Sequence, residues 1–201
     1  MQGKRNTDYS DAEGLEYSLS DDGTHYVVVG IGACTAAEIA VAGECKRLPV
    51  TRIVSRAFEN CRVIKSITIP DSVTSIEEAA FCCCVGLKSI TISNSVLIIE
   101  DGVFVGCRSL KSVIIPSGVI RIGDSAFDGC KSLELITISS SLKSIGNGAF
   151  DGCSKLKSIR FQGSKEEWRA IEKESAWNNW TGNYTVCCTN GKLDKEGNEI
   201  E

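Results

Sequence analysis

Cysteine is the chemically versatile residue that stands out in this sequence. Eleven cysteines occur among 201 residues, and thiols can form disulfides, bind metal ions or act as nucleophiles. Five of them recur every 23 residues, each three residues after a phenylalanine, at Cys61, Cys84, Cys107, Cys130 and Cys153. A cysteine column at an apolar, inward-facing position favours buried thiols that pack as small hydrophobic groups.

The other six cysteines are Cys34, Cys45, Cys82, Cys83, Cys187 and Cys188. Neither adjacent pair has the C-x-x-C spacing of a zinc site, so no metal site is predicted. Cys34 and Cys45 could form a disulfide, although an odd total leaves at least one free thiol. Disulfides within the column are compatible with a strand spacing of about 4.8 Å, but parallel side chains disfavour them. The abundance of cysteine fits a reducing or anaerobic setting.

Groups for acid–base catalysis are sparse. The only histidine, His25, has no partner motif of a hydrolase triad. The adjacent carboxylates Glu77–Glu78 and Glu100–Asp101 fall between strand and turn segments, where acids are common on a solvated surface. No phosphate-binding glycine motif is present. The sequence therefore predicts no catalytic residue, no cofactor and a protein that is not an enzyme.

These residues are positioned by an internal repeat of 23 residues. Phenylalanines recur at Phe58, Phe81, Phe104, Phe127 and Phe150, and isoleucines at Ile53, Ile76, Ile99, Ile122 and Ile145. The consensus is I-x-x-x-A-F-x-x-C-x-x-L-x-x-I-x-I-P-x-x-V-x-x. L-x-x-I-x-I predicts a short strand, and A-F-x-x-C-x-x-L predicts a helical or 3₁₀ turn. A unit this short cannot bury its own apolar face, so the repeats must stack as a solenoid.

Both ends of the repeat region depart from the pattern. Residues 23–163 are predicted to be the solenoid, with a degenerate first coil containing strands near Tyr26–Val29 and Glu38–Val41. Residues 1–22 are predicted to be disordered or to form an N-terminal cap, with fraying up to about residue 13. Residues 164–201 are predicted to be a C-terminal cap, with a helix begun by the capping box of Ser164 and Glu167. Trp168, Ile171, Trp177 and Trp180 are expected to seal the last coil.

Composition excludes several classes of partner. The net charge of −4 and the scattered lysines argue against nucleic acid, which requires a clustered basic face. Lys65, Lys88 and Lys111 form a ladder, which we interpret as a solubilising edge. No apolar run approaches the roughly 20 residues of a membrane helix. The first residues lack the apolar run of a secretory signal.

The strands present a candidate partner-binding face. Their outward positions are mostly hydroxyl residues, with Ile114, Leu135 and Arg160 as exceptions. Such a face suits adhesion or carbohydrate contact, but small polar residues also suit a solvated strand. The candidate residues are Ser89, Thr91, Ser112, Ile114, Leu135, Thr137, Ser158 and Arg160.

The repeats IPDSVTSIEEAAFCCCVGLKSIT and IPSGVIRIGDSAFDGCKSLELIT resemble the BspA-like leucine-rich-repeat family over about residues 23–190. The resemblance implies an α/β solenoid: a right-handed coil of short parallel strands and 3₁₀ or helical turns, in one domain with two caps. It further implies a bacterial cell-surface or secreted protein that attaches to host or microbial proteins or glycans. The alternative function is a spacer or display stalk without a ligand. The family carries no shared catalytic residues.

Overall fold

The computed structural model describes residues 9–10 and 14–201. Its elements, in chain order, are β1 (Tyr9–Ser10), β2 (Glu16–Leu19), β3 (Tyr26–Gly30), β4 (Glu38–Ala40), β5 (Glu44–Cys45), β6 (Leu48–Ile53), β7 (Ser66–Thr68), β8 (Ser75–Ile76), β9 (Ser89–Thr91), β10 (Ile98–Ile99), β11 (Ser112–Ile115), β12 (Arg121–Ile122), β13 (Leu135–Ile138), β14 (Ser144–Ile145), β15 (Ser158–Phe161), α1 (Lys165–Ala170), β16 (Glu172–Lys173), β17 (Thr185–Cys188), β18 (Gly191–Leu193) and β19 (Glu199–Ile200). Together they form a β-solenoid of about seven coils, which confirms the predicted fold class.

Two sides of each coil are parallel β-sheet. The L-x-x-I-x-I segments form the side that we call the strand face, where β4, β7 and β9 pair with one another and β11, β13, β15 and β17 form a second set. The opposite sheet contains β6, β8, β10, β12, β14 and β16. Its two-residue strands β8, β10, β12 and β14 lie on the isoleucine column, with Ile76 paired to Ile99, and β16 has Lys173 at this position. The repeat pattern predicts that this column is apolar but predicts no strand there.

The third side, which we call the turn side, contains the A-F-x-x-C segments. Cys61 N–H donates to Phe58 C=O over 3.0 Å. This hydrogen bond joins residues i and i−3, which is the predicted 3₁₀ type. Other amides donate to the next coil, as from Phe81 N–H to Val103 C=O over 2.9 Å. Left-handed residues such as Gly106 (φ 68°) interrupt the segments. The turn side is therefore a ladder of hydrogen-bonded tight turns rather than a continuous helix.

The phenylalanine column forms one stack through the interior. All five rings are fully buried. Ring centroids of successive coils lie 5.0, 5.6, 5.1 and 5.3 Å apart, with interplanar angles of 18° or less. These separations lie within the range of favourable aromatic contacts. Trp177 ends the stack with an edge contact to Phe150 at 6.1 Å.

The cysteine column lies beside this stack and is buried, as predicted. Four of its five thiols donate to the phenylalanine carbonyl of the preceding coil, and Cys107 Sγ lies 3.2 Å from Phe81 O. The same contact occurs for Cys84, Cys130 and Cys153. None of the eleven cysteines forms a disulfide, so the Cys34–Cys45 bond that the sequence left open is not made. The column thiols thus stabilise the turn side as buried hydrogen-bond donors.

Both ends of the solenoid are covered. At the N-terminal end, β2 pairs antiparallel with β3 and with β1. Of the segment expected to fray, residues 1–8 and 11–13 lie outside the described part of the chain. At the C-terminal end, α1 begins with the predicted capping box of Ser164 and Glu167. Beyond β17 the chain forms β18 and β19, which pair antiparallel.

Three of the four residues expected to seal the last coil do so. Trp168 and Ile171 are buried, and Trp177 packs against the core. The prediction for Trp180 is wrong, because 82% of this residue is exposed. Trp180 has a left-handed backbone, with φ of 52°, and its side chain points to solvent instead of onto the stack.

Successive coils approach each other closely at Gly118. A Cβ atom at this position would collide with the backbone carbonyl oxygen of Asn94 in the preceding coil. We expect Gly118→Ala to lower the free energy of unfolding by about 1–3 kcal/mol, because backbone must move to admit the methyl group. Urea unfolding followed by circular dichroism measures the change.

Gly43→Ala is the matched control. The nearest atom to its Cβ would be Ser72 Oγ at 3.5 Å, an ordinary contact. Equal stabilities of the Gly118 and Gly43 variants would contradict the close approach.

Candidate interaction surface

The structure brings most of the candidate partner-binding residues into one outward surface. Ser112, Leu135 and Ser158 pair in register, and so do Ile114, Thr137 and Arg160. Inward neighbours such as Ile136 are fully buried, as the period of two in a strand requires. The predicted alternation is therefore correct. Leu135, Thr137 and Ser158 are half-buried, whereas Ile114 and Arg160 are exposed.

Ser89 and Thr91 lie on the same face but belong to a separate sheet. β9 pairs with β7 and β11 pairs with β13, whereas no ladder joins β9 to β11. The two strands are nevertheless neighbours. Ile90 and Ile92, inward residues of this coil, are 8% and 7% exposed, whereas Ile136 is 0% exposed. The strand face is therefore interrupted between β9 and β11.

A cavity of about 360 Å³ opens at this interruption. Its lining is Ile90, Thr91, Ile92, Asn94, Ile114, Ile115, Pro116, Ser117 and Gln162. Ile114 lies at its edge with 64% of its surface exposed. Isolated exposed hydrophobic residues are common, but an isoleucine beside a cavity lined by both apolar and polar residues is a suitable anchor point for a partner side chain.

Positive charge flanks the cavity along the strand face. Lys65, Lys88 and Lys111 are exposed and stand in one column. Lys111 precedes Ile114 by three residues, or about 10 Å along an extended chain. In the next coil the column holds Glu134, whose Oε2 lies 2.7 Å from Lys157 Nζ. The coils on either side of the interruption therefore present Lys88 and Lys111 at this position, with Glu134 near Lys111, and Arg160 adds a cation in the outward column.

The repeat pattern predicts the outward columns, including Ile114, but not the cavity. Ile92, Pro116 and Gln162 were not predicted as site residues, because the repeat pattern predicts an unbroken sheet. The substitution of Ser93 for the proline of the consensus is the local irregularity at this coil. It does not by itself account for the lost pairing.

The other candidate groups have structural partners. Glu77 Oε2 accepts from Ser55 N–H over 2.9 Å, and Asp101 Oδ1 accepts from Asp124 N–H over 2.8 Å. These carboxylates thus join successive coils. His25 Nδ1 lies 3.0 Å from Thr24 Oγ1 and 3.7 Å from Asp22 Oδ1. Hydrogen bonds from Ser20 and Thr24 lower the pKa of Asp22 to about 2. The aspartate stabilises a turn before β3.

The repeat is also recognised by comparison with known families. A family model described as a BspA type leucine rich repeat region matches residues 49–179 in six copies. The chain belongs to this family. The BspA-type match begins at β6 and ends just after Trp177, so the family repeat includes the C-terminal coil whose tryptophan replaces the stacked phenylalanine.

Solved structures share the BspA-type coil. A leucine rich repeat protein of T. pallidum is 28% identical with a TM-score of 0.70, covering 75% of this chain and 70% of that one. A leucine rich cell surface protein of Faecalibacterium prausnitzii A2-165 is 36% identical with a TM-score of 0.73. That match covers 80% of this chain and 41% of the Faecalibacterium protein, so the chain spans less than half of its length.

A third structure supports the fold alone. The pneumococcal vaccine antigen PcpA is 18% identical with a TM-score of 0.64, covering 88% of this chain and 46% of that one. A search of curated proteins found no match. Among the described residues, no helix has the length and apolar character to cross a membrane.

Proposed function

We propose that this BspA-type solenoid is a non-enzymatic interaction module of a bacterial surface or secreted protein, which binds a protein of the host or of another microbe. The observation that carries the proposal is the cavity beside exposed Ile114, with lysines in the same coils. The surface role is supported by the Faecalibacterium relative, which is described as a cell surface protein.

The chemistry of the face favours a partner with an acidic surface and one projecting apolar side chain. The apolar side chain would enter the cavity and contact Ile114, since binding energy concentrates where an apolar anchor is desolvated. Acidic groups would meet Lys88 and Lys111, which would raise the association rate and make it dependent on salt. The hydroxyl residues around this centre would form the polar rim.

The test is a titration of the purified chain against a panel of extracellular-matrix proteins and a glycan array. We expect saturable binding to at least one acidic protein. Ile114→Asp should weaken that binding at least tenfold, because it places a charge at the anchor point. Since Ile114 is mostly exposed, the folded structure should be retained.

Leu97→Asp is the matched control. Leu97 is also exposed, at 57%, but it directly precedes β10 on the opposite sheet. Its variant should bind as the parent does. Binding to glycans alone would show that the partner class is wrong. An absence of saturable binding across the panel would favour the spacer function, and equal losses in both variants would show that the cavity is not the site.

A further inference from the structure

The turn side carries two adjacent thiols that face each other. Cys82 Sγ and Cys83 Sγ lie 3.7 Å apart, and both residues are half-buried, so solvent reaches them. The corresponding pairs in the other regular repeats are Glu59–Asn60, Val105–Gly106, Asp128–Gly129 and Asp151–Gly152. The dithiol is therefore a feature of this coil and not of the repeat.

The tight turn is what brings these thiols together. In an extended strand, adjacent side chains point to opposite faces. Cys83 instead has a left-handed backbone, with φ of 57°, in a column where three other repeats have glycine. Its Sγ also lies over the backbone of Gly106 in the next coil. The chain thus holds a side chain at a position where residues with a Cβ atom are uncommon.

The second adjacent pair lacks this arrangement. Cys187 and Cys188 lie within β17. Cys188 packs against the core, whereas Cys187 Sγ lies 3.7 Å from Ser158 Oγ. These two thiols therefore face opposite sides of a strand and cannot hold one ligand atom between them.

Two further observations define which ligand the Cys82–Cys83 pair can hold. Burial and the contact with Cys83 raise the pKa of Cys82 to about 11, so this thiol is protonated near pH 7. Divalent metal ions require thiolates and must displace protons. The neighbouring Cys84 Sγ points inward and donates to Phe58 O over 3.0 Å, which leaves two thiols rather than three. Among the described residues, no three His, Cys, Asp or Glu side chains group to hold a metal ion.

We propose that Cys82 and Cys83 form a chelating site for monosubstituted trivalent arsenicals. Such a compound, R–As(OH)₂, carries two exchangeable hydroxyl groups. Two As–S bonds form and two As–O bonds break, and each hydroxyl leaves as water with one thiol proton. Arsenic stays trivalent and no electrons are transferred. Because each leaving hydroxyl takes up a thiol proton, the condensation does not require that Cys82 first lose its proton.

The experiment uses the reduced 201-residue chain and one equivalent of phenylarsine oxide, followed by intact mass spectrometry under native conditions. We expect one phenylarsenic group per chain, removed again by excess of a small dithiol. Cys83→Gly should lower the modified fraction at least tenfold. This variant introduces the residue that three other repeats have at this position, so it should fold, which circular dichroism checks.

Cys187→Ser is the matched control and should be modified as fully as the parent chain. An unmodified parent chain, or a Cys83→Gly variant that retains the adduct, would overturn the proposal. A folded Cys187→Ser variant that loses the adduct would place the site at the other pair and overturn it as well. None of these outcomes depends on the proposed partner-binding face.

Discussion

Phe104→Ala is expected to lower the free energy of unfolding by about 3–5 kcal/mol. Phe104 lies in the middle of the aromatic stack, with Phe81 at 5.6 Å and Phe127 at 5.1 Å, and it is fully buried. Its truncation removes two ring contacts and leaves a cavity that rigid neighbouring coils cannot close. Urea unfolding, followed by circular dichroism and tryptophan fluorescence, gives the change.

Phe104→Leu provides the control for this variant. Leucine restores most of the apolar volume but not the stacking. Phe104→Leu should therefore lower the free energy of unfolding clearly less than Phe104→Ala does. If the alanine variant unfolded within 1 kcal/mol of the parent chain, the stack would be incidental to stability. If leucine and alanine were equally damaging, ring stacking rather than filled volume would dominate the energy.

Alkaline pH is expected to destabilise the fold more steeply than in a protein with exposed thiols. Burial raises the pKa of Cys107 and of Cys153 to about 12, from an ordinary value of 9.0. Burial also raises the pKa of Cys84 and Cys130 strongly. In the unfolded chain the thiols lose protons from about pH 9 upward, while the folded chain keeps them. The unfolded state then binds fewer protons, so stability falls as pH rises.

The size of this effect follows from proton linkage. Each such thiol contributes a loss of about 1.4 kcal/mol per pH unit between its unfolded and folded pKa values. The stability that depends on the protonated buried thiol is fully present below pH 9 and is lost as the pH passes about 12. Urea unfolding under reducing conditions at pH 8, 9 and 10 should show the decline.

A variant isolates the contribution of the column. Cys107→Ala combined with Cys153→Ala should be less stable at pH 8, because two buried hydrogen bonds are lost. Its free energy of unfolding should nevertheless fall less steeply with pH, because the contributions of two thiols to the slope are removed. An unchanged slope would mean that these thiols do not keep their protons in the folded chain.

Much of the fold could be predicted because the repeat makes each position visible several times. A single phenylalanine before a cysteine carries little information, but five such pairs at one spacing define a buried column. The same redundancy gave the outward residues of the strand face and the free thiols. The capping box of Ser164 and Glu167 was predictable because its chemistry is local.

The features that were missed depend on contacts that no single repeat encodes. The two-residue strands on the opposite sheet are too short for an alternating pattern, and only pairing across coils defines them. The interruption beside Ile114 lies between two coils, and the local departure from the consensus there, Ser93 in place of proline, does not by itself account for it. In these two cases the deciding contacts join residues more than twenty positions apart. Trp180 has the composition of a capping residue, but its left-handed backbone, which the repeat does not encode, turns it outward.

The ladder on the turn side has a consequence for how such a chain changes length. Phe81 N–H donates to a carbonyl 22 residues ahead, and the thiol of Cys107 donates to one 26 residues behind. Every coil therefore presents the same groups to the coil before and after it. Duplication of one 23-residue unit in the gene would recreate both junctions without any new side-chain chemistry. The length of the solenoid can thus change in evolution by whole increments of about 4.8 Å, while the caps and the fold of each coil stay unchanged.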